Sequence, residues 1–125
     1  MKYETLIETI IENIPEIQER ANEESRWWQP VDNEEPLVYI FMGNIINPFL
    51  IDLLDKMEDQ NLIDRVFELF EIMAKSDDNR IRDVLSAGVL EVLGDDPKIL
   101  EKARSFMRTN TLLLSHETEM SWGRE

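Results

Sequence analysis

Apolar residues recur at helical spacing along almost the whole chain, and this pattern narrows the fold more than any motif does. Tyr3, Leu6, Ile7, Ile10, Ile11 and Ile14 follow the spacing of one helical face. Leu50, Ile51, Leu54 and Met57 do the same, as do Ile81, Val84, Leu85, Gly88, Val89 and Val92, and then Ile99, Leu100, Ala103 and Phe106. Leu62, Ile63, Val66, Phe67, Leu69, Phe70 and Met73 are apolar on more than one side, which predicts a central helix. Residues 37–46 are apolar almost throughout, with Tyr39 and Phe41 in the run and Gly43-Asn44 breaking it. Periodicity cannot separate helix from short strand there, but no second strand candidate exists to pair with it, which favours helix.

Turn and capping residues divide these faces. Asn13 and Pro15 interrupt the first face and separate a first helix over about 3–13 from a second over about 15–28, whose Ile17 and Ala21 face the same core. Residues 29–36 carry two prolines and no period, and predict a loop. Asn47-Pro48 reads as a cap followed by proline at the first helical position, opening a new helix. Asp59-Gln60-Asn61 and Ser76-Asp77-Asp78-Asn79 read as turns, Gly94 as a C-terminal cap, and Asp96-Pro97 as the next start. Residues 111–121 predict a weaker helix docked through Leu112, Leu113 and Met120, ahead of a frayed Gly123-Arg124-Glu125. The expectation is one all-α domain of about six helices: an arm over 1–28, a loop over 29–36, stacked antiparallel pairs over 37–108 and a terminal helix and tail over 109–125. Asn47 and Asn79, 32 residues apart, would open successive pairs.

A chain of 125 residues suits one domain and buries roughly two-thirds of its unfolded surface, enough for a core without staples. No cysteine is present, which excludes a disulfide scaffold, a thiolate metal site and a cysteine nucleophile. One histidine excludes a multi-histidine site within the chain. His116 lies beside Ser115 and Glu117, but neighbours on a helix diverge and no nucleophile elbow is present, so a surface histidine is the simpler reading. Asp77-Asp78 and Asp95-Asp96 lack the ligand spacing of a calcium loop and suit helix capping. Gly43-Asn44 and Asn47-Pro48 could line a polar pocket, although turn and cap duty explains all four. The expectation is no cofactor, no metal and no catalytic residue, every acid on a periodic helix falling on its polar side.

Thirteen basic residues face 27 acidic ones, a net charge of -14, with most of the excess in residues 1–60. That charge opposes nucleic acid and anionic membranes and favours a basic protein partner. The N-terminus has no unbroken apolar stretch of signal-peptide length, so cytoplasmic residence is the expectation. Glu4, Glu8, Glu12 and Glu16 stand at i,i+4 spacing, an unfavourable arrangement of like charges. Arg20 can relieve Glu16 and Glu24, whereas Glu4, Glu8 and Glu12 have no basic partner in their own helix. They form either a solvated face or a docking strip for a basic protein. Trp27-Trp28 is the second oddity: adjacent side chains diverge by about 100°, so one ring packs inside and the other stays near the surface. The outer ring is either a structural anchor or a binding hot spot rimmed by Asp32, Glu34 and Glu35.

The run from Arg80 through Gly88 to Leu93-Gly94-Asp95 resembles the first helix of a HEAT-type repeat, where Gly88 would permit close helix packing. The order of pieces over about 5–120 also resembles a poorly characterised family of small bacterial all-α proteins. The resemblance is carried by the isoleucine-rich first helix ending in Trp27-Trp28, by Gly43-Asn44-Ile45-Ile46-Asn47-Pro48, and by Leu93-Gly94-Asp95-Asp96. Some of its members lie in toxin–immunity neighbourhoods, which would imply an inhibitor that binds a basic toxin. The other reading is a HEAT-like adaptor that holds a peptide or helix in an apolar groove. An enzyme using carboxylates of the bundle interior would need acids at core positions.

Overall fold

The computed structural model describes residues 1–30 and 36–125, which form eight helices and no strand. Helix α1 covers 3–13 and opens with the 3-10 turn Tyr3–Thr5; α2 covers 15–23 and α3 is Ser25–Trp28. Helix α4 is Val38–Lys56, α5 Gln60–Ala74, α6 covers 79–93, α7 is Pro97–Arg104 and α8 Thr109–Ser121. The all-α expectation holds, with eight helices in place of about six. One extra helix comes from the break at Glu24, which splits the segment 15–28. The separation of α4 from α5 falls where the turn at 59–61 is expected, just after Met57, a left-handed residue with φ 53°.

Proline placement explains the largest departure from the sequence reading. Asn47-Pro48 does not open a helix, because residues 38–56 are helical without interruption. A mid-helix proline removes one N–H and drives its ring against the carbonyl four residues back. Here residues Met42–Ile46 form a π-turn, in which the Asn47 N–H reaches the Met42 carbonyl five residues earlier. The widened turn stands immediately before Pro48, where the normal hydrogen-bond ladder would have failed. Gly43-Asn44 lies inside this turn and breaks nothing. Asn47 is therefore a mid-helix residue and Asn79 a first-turn residue, so the 32-residue relation does not mark equivalent positions.

A second π-turn, Ser86–Leu90, interrupts α6, and the two π-turns pack against each other. Asn47, buried between them, donates its Nδ2–H to the Gly88 carbonyl at 2.7 Å. A Cβ added at Gly88 would lie 3.5 Å from Met42, an ordinary contact, so close approach does not itself demand glycine there.

Around this contact the buried apolar side chains form one cluster, from Leu6 in α1 to Met107 beyond α7. Helix α5 occupies the central place its pattern predicts, burying Leu62, Ile63, Val66, Phe67, Leu69, Phe70 and Met73. Phe67 meets Phe70 edge to face at 5.2 Å. Asp59, Asp78 and Asp96 each accept from a backbone N–H of the first turn that follows, the capping role expected of Asp78 and Asp96 and taken also by Asp59 of the expected turn. As a single 19-residue helix whose most apolar window has mean hydropathy 1.3, α4 is the one described helix long and apolar enough to cross a membrane. Of its most apolar window, 44% is buried inside the bundle.

Removing the Asn47 donor leaves a buried carbonyl unpaired, at a cost of about 2 kcal/mol. Asn47→Ala should lower the urea midpoint accordingly. Asn47→Asp, which cannot donate when ionised, should lower it further at pH 7 and recover part of the loss at acid pH.

Candidate functional site

The acids of the N-terminal strip fall into two groups. Glu4 is folded back onto α6, where it meets the Arg80 guanidinium at 3.1 Å. Arg80 also pairs with Asp78 at 2.8 Å and lies over the Tyr3 ring, 4.6 Å from its centroid. The backbone N–H of Glu4, and then Arg80, hold its carboxyl below the usual carboxylate range. Glu16 pairs with Arg65 of α5, which lowers its carboxyl in the same way. The expected relief by Arg20 is thus replaced by a tertiary pair, since Arg20 makes no ion pair among the described residues. Glu8 and Glu12 are exposed and have no ion-pair partner among the described residues. Beyond them Glu16, Glu19, Glu23 and Glu24 surround Arg20 in an open, acidic depression on the same arm.

The two tryptophans divide as the helix geometry requires. Trp28 is only 6% exposed, packs edge to face on Phe41 at 5.2 Å and donates its indole N–H to the Ala21 carbonyl at 2.9 Å. Trp27 is 52% exposed, with Arg26 over its ring at 4.9 Å. Asp32, Glu34 and Glu35, the expected acidic rim, lie outside the described residues.

The C-terminal helix inverts its expected packing. Leu113 and Met120 are 58% and 64% exposed, while Thr111, Ser115, Thr118 and Glu119 are buried. Leu112 alone of the three expected anchors packs against the core. The inward polar residues are satisfied one by one. The Ser86 and Thr118 hydroxyls share a hydrogen bond at 2.7 Å, and Arg104 Nε donates to Ser115 Oγ at 3.2 Å. Glu119 is held by Arg124, whose Nε lies 2.5 Å from Oε2 and whose second nitrogen lies 3.0 Å from Oε1. Arg124 also reaches Asp95 at 2.9 Å, and Glu125 pairs with Arg104 at 2.5 Å and with His116 at 2.6 Å. The tail expected to fray is tied down by these charges. Sequence carried one sign of all this: Thr111, Ser115 and Thr118 stand at i, i+4 and i+7, a polar stripe at helical spacing.

Two acids therefore break the expectation that every helical acid faces water. Glu119 is one; Glu71 of α5 is the other, and it caps α8 from outside that helix. It accepts from the backbone N–H groups of Asn110 and Thr111 at 3.1 and 2.8 Å. It also accepts from the Asn110 amide at 2.8 Å and the Thr111 hydroxyl at 2.9 Å. Burial alone would raise its carboxyl, but the hydrogen bonds from Asn110 and Thr111 outweigh it and lower the pKa to about 2. The residue at the cap position, Arg108, makes no side-chain cap bond, so a buried carboxylate supplies what the local sequence lacks. This use of a carboxylate is structural, since its acceptor capacity is consumed by four donors.

Gly94 closes α6 in right-handed conformation, φ -71°. Its need for glycine lies elsewhere: a Cβ there would stand 1.6 Å from Glu119 Oε1 and 2.6 Å from an Arg124 guanidinium nitrogen.

Residues 7–123 match a family model described as Domain of unknown function (DUF7674), and the chain belongs to that family. No curated protein and no solved structure matches the chain.

Because the Glu71 pKa is depressed in the folded state, its stabilising contribution is present above the ordinary value of 4.5 and is lost as pH falls toward 2. The shift corresponds to about 3 kcal/mol. Glu71→Gln should be destabilised by that order at pH 7, and the gap to the parent should close between pH 4.5 and pH 2 in urea melts. Gly94→Ala should cost about 1–2 kcal/mol by forcing the paired Glu119 and Arg124 apart. Its loss should combine less than additively with that of Glu119→Ala in a double-mutant cycle.

Proposed function

We propose that this chain is a non-catalytic binding domain for a basic protein, with the N-terminal arm as the surface that receives it. The observation that carries this reading is the pairing pattern of the arm. Glu8 and Glu12 stay exposed without cations among the described residues, whereas Glu4 and Glu16 are tied to Arg80 and Arg65. Unpaired like charges on one helix oppose its stability, and a cationic partner removes that opposition on binding. Trp27 supplies exposed aromatic area at the end of the same arm, the residue type most enriched at interface hot spots. Asp32, Glu34 and Glu35 complete the proposed acidic rim.

The finer form of the proposal is an immunity-type protein of bacterial origin that neutralises a basic toxin in the cytoplasm. It rests on the resemblance stated above and on the acidic charge. In this mechanism the strip steers the partner in, and Trp27 then provides desolvated contact.

The test begins with capture from the native host's lysate at low salt, followed by a high-salt wash. One basic protein should be retained at low salt and reduced at high salt. Its association rate with the purified chain should then fall steeply with ionic strength. In Glu8→Gln/Glu12→Gln the rate should drop about tenfold at low salt, with folding intact or slightly improved. Association kinetics unchanged in that variant would remove the strip from the interface. Trp27→Ala should leave association nearly unchanged and speed dissociation.

A further inference from the structure

A second surface, on the α4–α6 side of the bundle, combines exposed apolar, aromatic and acidic side chains. Leu37, at the cap position before α4, and Tyr39 and Ile40 in its first turn are large apolar side chains that are 40–49% accessible although α4 lies in the bundle. Tyr39 leans against α6, its ring carbon 3.7 Å from where a Gly88 Cβ would stand. One turn further on, a Cβ at Gly43 would meet nothing within 4 Å, so the surface there is open. On the π-turn of α6 that packs against that of α4, Ala87 is exposed, with Asp83 and Glu91 four residues to either side in sequence. Burial first, and then the nearby Asp83, Tyr3 and Glu91 in that order, push the Tyr39 hydroxyl above its ordinary value. Neither carboxylate has an ion-pair partner among the described residues. By contrast Arg65, Arg80, Arg104, Arg108 and Arg124 are all engaged in ion pairs.

We infer that this face is the docking surface for an amphipathic, arginine-bearing helix of the basic partner. Its cation would lie over Tyr39 between Asp83 and Glu91, and its apolar stripe would cover Ile40 and Leu37. The inference rests on the reading of a basic partner and assigns it a contact separate from the N-terminal strip. The chemistry of this surface selects this occupant. An electron-rich ring flanked by two carboxylates favours a guanidinium, which can stack and hydrogen-bond together. An exposed apolar turn beside it favours a partner with an apolar stripe. A neutral apolar peptide would leave both carboxylates desolvated without compensation, and an anionic surface would be repelled.

The probe is a synthetic 18-residue helical peptide with arginine on one face and leucine on the other, titrated into the ¹⁵N-labelled full chain. A matched peptide with glutamine in place of arginine serves as control. Saturable amide shifts should appear over residues 37–43 and 83–91 with the arginine peptide, and binding should be at least about tenfold weaker for the control. Tyr39→Ala and Asp83→Asn/Glu91→Gln should each weaken binding about tenfold. The carboxylate pair is a safe second variant, because it removes charge from the surface and no apolar packing. Shifts confined to residues 8–12 and 27 would overturn the docking surface and leave the arm reading intact. Equal binding of both peptides, or no saturable shift with either, would overturn it as well. Co-sedimentation with phosphatidylcholine vesicles that Ile40→Asn abolishes would overturn it in favour of a lipid surface. The arm reading is judged separately, by the salt-dependent association rate of the captured protein.

Discussion

A proline in the middle of a helix imposes the constraint from which much of this architecture follows. Pro48 cannot donate to the ladder, and the chain answers with a π-turn immediately before it rather than with a helix end. The widened turn needs a partner surface, and α6 provides one with a π-turn of its own at Ser86–Leu90. Asn47, one residue before the proline, joins the two turns through the Gly88 carbonyl. A buried polar bond of this kind contributes little net energy when made and costs much more when only one partner remains. It therefore fixes which turn of α4 meets which turn of α6, while the surrounding apolar side chains supply the bulk of the stabilisation. The register set there also decides what stays outside, including Tyr39, Ile40 and Ala87.

The other end of the molecule is organised by charge and hydrogen bonding. Helix α8 presents hydroxyls and a carboxylate inward, so it cannot dock by apolar burial alone. It docks because each inward group is met: Thr118 by Ser86, Ser115 by Arg104, Glu119 by Arg124, and the helix start by Glu71. A half-satisfied buried group is worse than an apolar one, and among these residues only one Arg104 guanidinium nitrogen is buried without a partner. The terminal Arg124 and Glu125 belong to this network, which is why the last residues are tied to the body. Gly94 belongs to it too, as the gap into which the Glu119 carboxylate fits.

These two organising contacts leave the acidic surplus on the surface, where it is divided between cations of the chain and solvent. Arg65 and Arg80 fasten the arm to α5 and α6 through Glu16 and Glu4, so the strip begins and ends in structural pairs. Its middle acids are left over. The proposed binding role draws on what the packing does not use: Glu8, Glu12 and Trp27 on the arm, and Tyr39, Asp83 and Glu91 on the α4–α6 face.

The apolar period by itself determined that the chain is helical, that α5 is central, and that one of Trp27 and Trp28 must face outward. It could do so because burial of a stripe every 3.6 residues is a local property, readable without knowing the partner. Aspartates at 78 and 96 were legible as caps for the same reason, since their N-cap bonds span only two residues, whereas Asp59 was legible only as part of a turn. Only the tertiary structure decided the rest. Whether Pro48 starts a helix or is carried inside one depends on a π-turn, and that turn was not legible in the local sequence. Whether Glu71 and Glu119 face water depends on donors 39 and 5 residues away, at Asn110 and Arg124. The inversion of α8 has the same origin: a polar stripe can be buried only where other segments bring its hydrogen-bond partners, and a sequence shows the stripe without showing who meets it.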